Sequence, residues 1–494
     1  MRLCLLTFIS ILLCSTLQAS KWTDYGNFDV SWYNTQDKEF SLYTEAEVAG
    51  ISYLINEGYT DFSNITINLE NDIDLSSHIW IPIGINTPFK GKFNGNSHKI
   101  KGINITRDNN SSNNFYGFFG RIQNTTISNL TLYGLIDYFC GTETDYNVFI
   151  GTFAGTSYNS SLLNCKNHVK IVLLRNYFHA AYSYTTYIGG FIGSSAYSHL
   201  YKCENYSEFN IKYGTLWEKQ FGNASGLYIG GIVGSAEDTD IKHCLNSPTK
   251  LYVETAGGTR TTAIGVSIGG ITGIIRNTLI KHCSNIIDVI SVSIARQASI
   301  SIGGISGIAY IYHDDTNSGV INCYSTTRFI DKGGAENVTL YGGIIGSSHT
   351  NASNKLIANF SASNLYTDAL ASKKGYDGDN NFSSSEMKTD LFLQSLNFYS
   401  STRKENCYWE KTQDYPVIKN SEETSLISIY QKDNNCDQFT IENGLIIFDT
   451  ATSYNIFNMN GNLIQCGYGL QSKNLKKGIY ILSTANSSTK ITIR

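Results

Sequence analysis

The stretch YIGGFIGSSAYSHLYKCEN, residues 187–205, contains the two sequence elements that decide the fold. Its first element, IGGFIG at 188–193, returns as IGGIVG (229–234), IGGITG (268–273), IGGISG (302–307) and YGGIIG (341–346). The second glycines of these copies, 34 to 41 residues apart, are Gly190, Gly231, Gly270, Gly304 and Gly343. A recurring period of this length is the signature of a repeat architecture.

The second element follows each glycine segment and has the form apolar-x-x-Cys-x-Asn. It reads LLNCKN, LYKCEN, IKHCLN and IKHCSN, and its last copy, VINCYS, ends in Ser325 instead of asparagine. A third, more variable element alternates apolar and polar residues, as in KIVLL (170–174) and VISVSIA (289–295). Three short strands per period without a helical pattern predict coils of a right-handed parallel β-helix, about eight in number between residues 80 and 366.

In such a stack every position faces its own copy in the next coil, about 4.8 Å away. The asparagines should therefore form a buried ladder of amides, at Asn167, Asn205, Asn246 and Asn285. The cysteines should form a second column, at Cys165, Cys203, Cys244, Cys283 and Cys323. Residues 80–385 are thus predicted to be the β-helix.

The two ends of a β-helix need covering because an open sheet edge invites aggregation. Residues 20–79 are predicted as the N-terminal cap, where Thr44-Glu45-Ala46-Glu47 is a capping box that begins a short helix before Gly58. Residues 386–424 are predicted as the C-terminal cap and linker, with a short helix and a final strand near YWEKTQDYPVI (408–418). From residue 425 to 494 the repeat is lost and Asn-Gly turns predict a separate small β-sandwich domain.

NDIDLSSHIWIPIG (71–84), PFKGKFNGNSHKIKGINI (88–105) and the glycine strands with their cysteine-asparagine partners resemble the GLUG-motif repeat proteins. The resemblance covers about residues 40 to 420. It implies a pectin-lyase-like solenoid in an adhesin-like protein of the Bacteroidota, in a family that also accompanies some peptidases of the IgA-protease type.

The terminal segment from Tyr454 resembles the C-terminal sorting domain of the type IX secretion system. The matching places are Met459-Asn460-Gly461, Leu475, Lys477-Gly478-Ile479-Tyr480, Lys490 and Arg494. The resemblance implies that the chain engages that secretion machinery, crosses the outer membrane, and is then attached to the cell surface or released. The segment before Tyr454 departs from the pattern, which leaves the subtype open.

The first residues support export. Arg2 precedes the apolar run LCLLTFISILLC, and Leu17-Gln18-Ala19 suits signal peptidase, so residues 1–19 are predicted to be a signal peptide. No later run reaches the roughly 18 apolar residues of a membrane helix, so we expect no transmembrane span in the mature chain. With a net charge of -4 and 16% charged residues, the chain has no broad basic surface for nucleic acid.

Catalytic patterns were sought because the resemblance includes proteins found beside peptidases. None of the nine histidines begins an H-E-x-x-H zinc site, and the repeated positions are glycine, isoleucine, cysteine and asparagine, which supply no acid or base. His313-Asp314-Asp315 reads as a solvated loop, and Asp72 and Asp74 read as turn residues. We expect no enzyme activity, no cofactor and no metal site.

The cysteine column leaves two alternatives. His243-Cys244 and His282-Cys283 suggest a metal or redox ladder, whereas small thiols also pack well at an inner corner. Packing is favoured because stacked residues are spaced too widely for a relaxed disulfide. Cys436 and Cys466 in the last domain remain a possible disulfide.

A surface for a ligand is suggested by the aromatic insert YFHAAYSYTTY at 177–187, with Tyr177, Tyr182, Tyr184 and Tyr187 as candidates. Rings offer flat apolar faces to sugars, although tyrosine is also common in strands. The leading hypothesis is an exported, surface-attached or secreted adhesin-like protein that binds a glycan or a host protein. The alternatives are a β-helix polysaccharide lyase or glycoside hydrolase, or a purely structural stalk.

Overall fold

The computed structural model describes residues 19–107, 113–140, 147–175, 184–214, 226–256, 265–287, 289–294, 299–311, 318–331, 339–350, 355–362, 376, 378, 380–402, 409–418, 439–442, 445–458, 463–471, 475, 478–484 and 488–493. The chain divides into two compact units, Met1–Lys419 and Asn420–Arg494. In the part of the chain described, no helix is long and apolar enough to cross a membrane.

The first unit is a parallel β-solenoid with few helices, in agreement with the predicted class. Its strands stack into four sheets, which we call sheets I to IV. Sheet I has ten strands: β1 (Glu39–Leu42), β2 (Thr66–Leu69), β4 (Lys92–Asn94), β8 (Thr126–Ser128), β12 (Ser161–Leu163), β16 (His199–Tyr201), β21 (Asp240–Lys242), β26 (Leu279–Lys281), β31 (Gly319–Ile321) and β36 (Leu356–Ile357). Because β1 and β2 already belong to this sheet, the stack begins before residue 80.

Sheets II and III have seven strands each. Sheet II contains β6 (Phe115–Tyr116), β10 (Val148–Gly151), β14 (Thr185–Gly189), β19 (Gly226–Gly230), β24 (Gly265–Gly269), β29 (Ser299–Gly303) and β34 (Thr339–Gly342). Sheet III contains β7 (Phe119–Gln123), β11 (Ala154–Tyr158), β15 (Ile192–Ala196), β20 (Val233–Glu237), β25 (Thr272–Arg276), β30 (Ser306–Ile311) and β35 (Ile345–Thr350).

Sheet IV has fourteen strands, because four coils contribute two short strands to it and six contribute one. They are β3 (Ile73–Asp74), β5 (Lys99–Thr106), β9 (Thr131–Cys140), β13 (Lys166–Arg175), β17 (Glu204–Asn205), β18 (Phe209–Gly214), β22 (Leu245–Asn246), β23 (Leu251–Ala256), β27 (Ser284–Asn285), β28 (Val289–Ile294), β32 (Tyr324–Ser325), β33 (Arg328–Asp331), β37 (Phe360–Ala362) and β38 (Asn380–Phe382).

The expectation of three strands per coil is wrong, because each of the seven coils between β4 and β35 runs through all four sheets. The glycine element is two strands, of sheets II and III, which meet at the Gly-Gly corner. The cysteine element is also two strands, of sheets I and IV, and the residue before each cysteine bends the chain with a positive φ, for example 52° at Lys202 and 57° at His243. Lysine is unusual at such a left-handed position, and the residue type there changes from coil to coil, so the sequence did not reveal this corner.

The asparagine ladder and the second glycines interlock inside the solenoid. Asn167 donates from Nδ2 to Asn205 Oδ1 at 2.7 Å, Asn205 donates to Asn246 at 2.8 Å, and Asn246 donates to Asn285 at 2.8 Å. All four side chains are fully buried. A Cβ on Gly231 would lie 2.3 Å from Asn246 Cγ and 2.1 Å from Gly270 O, so the ladder leaves room for glycine alone.

A second ladder, of hydroxyl groups, lies at the corner between sheets III and I. The amide nitrogen of Ser160 donates to Ser198 Oγ at 3.2 Å, and that of Thr239 donates to Thr278 Oγ1 at 3.4 Å. Each hydroxyl also donates to the carbonyl two residues earlier, as Ser198 does to Ala196 at 2.8 Å. This column was not among the sequence-based predictions, although a Ser or Thr lies five residues before each repeated cysteine.

The N-terminal helix α1 (Glu45–Asn56) has the predicted capping box at Thr44 and Glu47. Its buried residues belong to the solenoid's hydrophobic core. Two polar side chains of the helix also form hydrogen bonds with the main chain of residues 81–85. Ser52 Oγ donates to Ile81 O at 2.8 Å, and Asn56 Oδ1 accepts from Ile85 N at 2.9 Å. The helix is therefore packed against the segment that leads into the first coils.

At the other end, a short 3-10 helix (Glu386–Lys388) precedes helix α2 (Asp390–Thr402). The predicted final strand is instead an antiparallel pair, β39 (Trp409–Glu410) and β40 (Val417–Ile418), outside the four stacked sheets. The pair contacts the solenoid through side chains, because the Trp409 ring lies 5.2 Å from that of Tyr324 and Tyr324 also contacts Phe392 of α2.

The second unit contains five described strands in one antiparallel sheet: β41 (Phe439–Glu442), β42 (Leu445–Asn458), β43 (Leu463–Gln471), β44 (Gly478–Thr484) and β45 (Ser488–Ile493). Ile446, Ile456, Leu475 and Leu482 form its core. The predicted sandwich needs two sheets, whereas the strands described form one. The predicted Asn-Gly turns lie outside the described residues.

Replacing Asn246 by alanine should destabilise the solenoid, because Asn205 loses its acceptor and Asn285 its donor in a fully buried column. An unsatisfied buried polar group costs about 1–3 kcal/mol. Thermal unfolding followed by circular dichroism, with Asn210→Ala on the outer face of sheet IV as the control, measures this. Equal thermal midpoints for the two variants would show that the asparagine ladder does not stabilise the stacked coils.

Gly231→Ala should destabilise the solenoid more than Gly226→Ala does, although each adds one methyl group at or beside an end of β19. The Gly231 Cβ meets backbone oxygen and the ladder amide, whereas the nearest atom to a Gly226 Cβ is the Thr185 side chain at 2.9 Å. We expect Gly231→Ala to lower the free energy of unfolding by about 3 kcal/mol, and Gly226→Ala to lower it by less. Hydrogen exchange of the flanking strands gives the comparison, and the reverse order would contradict the interlocked geometry.

Candidate functional site

The five repeated cysteines form a buried column of free thiols between sheets I and IV. Each Sγ donates to main-chain carbonyls, as Cys283 does to Ile241 and Lys281, both at 3.4 Å. Burial raises the pKa of the Cys165, Cys244 and Cys323 thiols well above the ordinary value. Although burial opposes it, hydrogen bonds with Cys244 and Cys323 lower the pKa of the Cys283 thiol. The three thiols with a raised pKa fill the inner corner in protonated form, where they have little nucleophilic or metal-binding character.

The column ends in a residue that sequence reasoning missed. LIANFS (356–361) aligns in register with VINCYS, which places Asn359 at the cysteine position of the last coil. Its Oδ1 accepts from Cys323 N at 3.0 Å, and its Nδ2 donates to Val320 O at 2.7 Å. Among the residues that the structure describes, no group of three His, Cys, Asp or Glu side chains is placed to hold a metal ion.

Of the four candidate tyrosines, Tyr177 and Tyr182 lie outside the described residues, and Tyr184 and Tyr187 are half-buried. Tyr187 belongs to a column of four rings on the outer face of sheet II. The ring centroids of Phe115 and Phe149 are 5.4 Å apart, those of Phe149 and Tyr187 are 5.0 Å apart, and Tyr228 follows at 5.5 Å.

The first three rings of this column are nearly parallel, with interplanar angles of 12° and 2°. Their faces are therefore occupied by one another and only their edges point outward. A sugar that stacks needs an open ring face. The column thus stabilises the coils, and Tyr187 on its own is not an open platform for a pyranose ring.

In every coil the chain length varies between the end of a sheet IV strand and the start of the next sheet II strand, and we call the corner between these two sheets the variable corner. There the chain passes from the end of a sheet IV strand to the start of a sheet II strand. The seven connections occupy residues 107–114, 141–147, 176–184, 215–225, 257–264, 295–298 and 332–338. Their sequences range from ARQA to TLWEKQFGNAS, and the candidate aromatic insert is one of them.

The outer face of sheet I carries a group of polar side chains on three successive coils. Asp240 Oδ2 lies 2.7 Å from Lys242 Nζ and 3.5 Å from His199 Nδ1. The Tyr201 ring lies 4.8 Å from the His243 ring, which in turn lies 5.4 Å from the His282 ring. Sequence reasoning considered His243 and His282 only as possible metal ligands beside the cysteines.

The outer face of sheet IV carries charges in a different arrangement. Lys166 pairs with Glu204 at 2.9 Å, Lys170 with Glu208 at 3.2 Å, and Lys212 with Glu254 at 3.4 Å, each across neighbouring coils. Opposite charges in register stabilise adjacent strands. These pairs therefore help to fix the register of the coils.

The remaining sequence candidates have structural roles or lie outside the described residues. Asp74 Oδ1 accepts from Ser76 N at 2.9 Å, as a turn residue does. Asp72 Oδ1 instead accepts from Lys99 N at 2.9 Å, in a contact between segments 27 residues apart. These main-chain and side-chain hydrogen bonds lower the pKa of both carboxyl groups. His313-Asp314-Asp315 and Cys436 lie outside the described residues.

No family model matches the chain, and no curated protein matches it. Among solved structures, the chain is similar to a protein from Bacteroides ovatus whose title calls it a "putative immunoglobulin A1 protease". The two are 14% identical, the match covers 78% of this chain and 94% of that chain, and the TM-score is 0.38. A likeness of this size says nothing about what this chain binds or catalyses.

His243 should make the protein sensitive to acid. Burial, and the charges of His282, Lys202, Lys281 and Lys242, lower the pKa of His243 to about 3. Between pH 6.5 and 3 the unfolded chain binds a proton at this residue and the folded chain does not, so stability falls as the pH falls, by at most about 1.4 kcal/mol per pH unit.

His243→Asn removes that proton and restores the residue type found at the equivalent positions Asn164 and Asn322. The variant should lose less stability than the unmodified chain between pH 6.5 and pH 4. Above pH 7 the thermal midpoints of the two proteins should change with pH in the same way. Thermal midpoints measured across this range test the expectation. A difference that does not change with pH would refute it.

Proposed function

We propose that the chain is an exported, non-catalytic, adhesin-like repeat protein that binds a glycan or a host protein through the outer faces and loops of its solenoid. The observation that carries the proposal is the variable corner. All seven connections between sheets IV and II leave the same corner, and they differ in length and sequence from coil to coil. In repeat proteins, insertions on one face are often the binding surface.

The contrast with the other corners strengthens this inference. At the corner between sheets I and IV, the residue with positive φ and the cysteine recur in coil after coil at fixed spacing. That corner is constrained by its buried column, whereas chain length at the variable corner does not disturb the register of the sheets. A rigid scaffold with freely varied loops on one side is the usual construction of a recognition surface.

The proposal that the chain is not an enzyme is supported by how the repeated polar groups are used. The asparagine amides donate and accept within the ladder, and the cysteine thiols donate to carbonyls inside the corner. Groups engaged in this way do not act on a ligand outside. The alternative, a carbohydrate-active enzyme, would draw on the His199, Asp240 and Lys242 group of sheet I, and cleavage of a bound polysaccharide would favour it.

Export by the type IX system, followed by surface attachment or release, is part of the same proposal. It is supported by the predicted signal peptide at residues 1–19 and by the resemblance of the terminal segment to a sorting domain. The strands β44 and β45, which carry Gly478, Tyr480 and Lys490 of that resemblance, pair within a unit separate from the solenoid. A sorting domain that is recognised independently of its cargo suits such a separate unit.

The test is to screen the mature full chain against glycan and mucin arrays, and then to replace each variable connection in turn by a Gly-Ser segment of equal length. At least one replacement, with 176–184 as the first choice, should weaken binding about tenfold, or about 1.4 kcal/mol. The same replacement at 312–317, between sheets III and I, is the control. Arrays without a bound ligand, or binding that survives all seven replacements, would overturn the proposal.

A further inference from the structure

Two exposed tyrosines on neighbouring coils lie at the corner between sheets III and I. Tyr158 is the last residue of β11, and Tyr197 directly follows the last residue of β15. They are 47% and 49% exposed, and their ring centroids are 5.5 Å apart. Of the large apolar side chains that are exposed in the described part of the chain, these are the two whose rings contact each other. We call them the tyrosine pair.

The rings of the tyrosine pair leave most of their faces uncovered by each other. The two rings are inclined at 68°, which is an edge-to-face contact. In such a contact the edge of one ring meets a face of the other, so at most one of the four ring faces is covered by the partner. In the register of sheet III, Tyr158 lies between Gln123 and Ala196, neither of which is aromatic. The pair therefore differs from the column that contains Tyr187, where parallel rings cover one another's faces.

Tyr197 occupies a backbone position that four other coils fill with asparagine or aspartate. Its φ is 51°, and the equivalent residues Asn124, Asn159, Asp238 and Asn277 have φ between 44° and 52°. Asparagine and aspartate tolerate this left-handed region, whereas a bulky ring there is an outlier. Such outliers cluster at functional sites. Since the coils stack with a small polar residue at this corner, the tyrosine has a use other than stacking.

Groups that form hydrogen bonds with hydroxyls surround the tyrosine pair. The Asp238 carboxylate, on the coil after Tyr197, raises the pKa of the Tyr197 hydroxyl by its charge, and it has acceptor sites beyond the one that this hydroxyl uses. Asn159, on the coil before Tyr197, donates from Nδ2 to the corner asparagine of the preceding coil at 2.8 Å, and its amide oxygen is an acceptor. Thr156 and Ser194 place hydroxyls on the same outer face of sheet III. Aromatic faces bordered by a few placed polar groups are typical of a small-ligand site.

We propose that the tyrosine pair binds a neutral hexopyranose ring of a glycan chain, with an apolar face of the sugar on a tyrosine ring and the sugar hydroxyls bonded to Asp238 and Asn159. The choice of a sugar rests on the proposed function, while the site is distinct from the variable corner. An acidic sugar fits less well, because the Asp238 carboxylate lies beside the rings. A quaternary ammonium group also fits less well, because it would leave the amide and hydroxyl groups without a partner.

The experiment measures binding of the mature full chain to cellohexaose, laminarihexaose, mannohexaose and galactohexaose by titration calorimetry, with hexagalacturonate and choline as comparisons. At least one of the four neutral hexasaccharides should bind, and the double variant Tyr158→Gln, Tyr197→Asn should bind it about tenfold more weakly. These replacements are the residue types of the equivalent positions Gln123 and Asn159, so the coils should stack as before.

The control is the double variant Tyr25→Gln, Tyr43→Asn. It removes two exposed tyrosines from the N-terminal cap and should bind the hexasaccharide as the unmodified chain does. No binding of any of the four, tighter binding of hexagalacturonate or choline, or equal affinity of the two double variants overturns the proposal.

Thermal unfolding gives the second readout. Because Tyr197→Asn places asparagine at a left-handed position, the tyrosine-pair variant should unfold at the same temperature as the unmodified chain or at a higher one. A lower midpoint would show that the tyrosines hold the coils together, and it would overturn the proposal. The replacements at the variable corner leave the tyrosine pair intact. Loss of binding in the tyrosine-pair variant alone therefore supports this site, whereas loss in those replacements alone supports only the proposed function.

Discussion

The structure depends on a contact between two buried columns, the ladder asparagines and the second glycines of the repeat. Each asparagine amide lies where a glycine side chain would be, and each amide also bonds to the next coil. The glycine is required because the amide needs the space, and the amide is required because the interior otherwise lacks partners for buried polar groups. Together they fix how far one coil can slide over another, which sets the register of all four sheets.

Much of the solenoid could be predicted because stacking makes the sequence repeat. Cysteine, asparagine and glycine recur since each packs on its own copy, and the capping box at Thr44 is a local signal that does not depend on the fold. The corner before each cysteine was not predicted, because its residue changes from Asn164 to Lys202 to His243 and so shows no repeated turn residue. The hydroxyl column at Ser160 and Ser198 was readable, but serine and threonine are so common in strands that their spacing did not stand out.

The candidate surfaces were harder to predict, because they depend on which positions become neighbours. Tyr187 lies in an aromatic insert and suggested a platform for sugars, yet its ring is stacked in a column whose faces are occupied. The lysines of sheet I lie about forty residues apart in sequence and meet only when the coils are in register. A single sequence shows that each coil has a polar residue there, but not which of them meet, as His199 and Asp240 do across neighbouring coils at 3.5 Å.

The asparagine ladder has a direction. Every Nδ2 donates toward the C-terminal end, whereas the Oδ1 of Asn167 accepts from Val169 N within its own coil. If the solenoid has formed only as far as a given coil, the Nδ2 of the last ladder asparagine lacks its acceptor. The next coil supplies that acceptor when it packs. A chain that emerges from the ribosome or from a secretion pore with its N-terminus first can wind in that order. Each added turn then supplies the acceptor that the turn before it lacks.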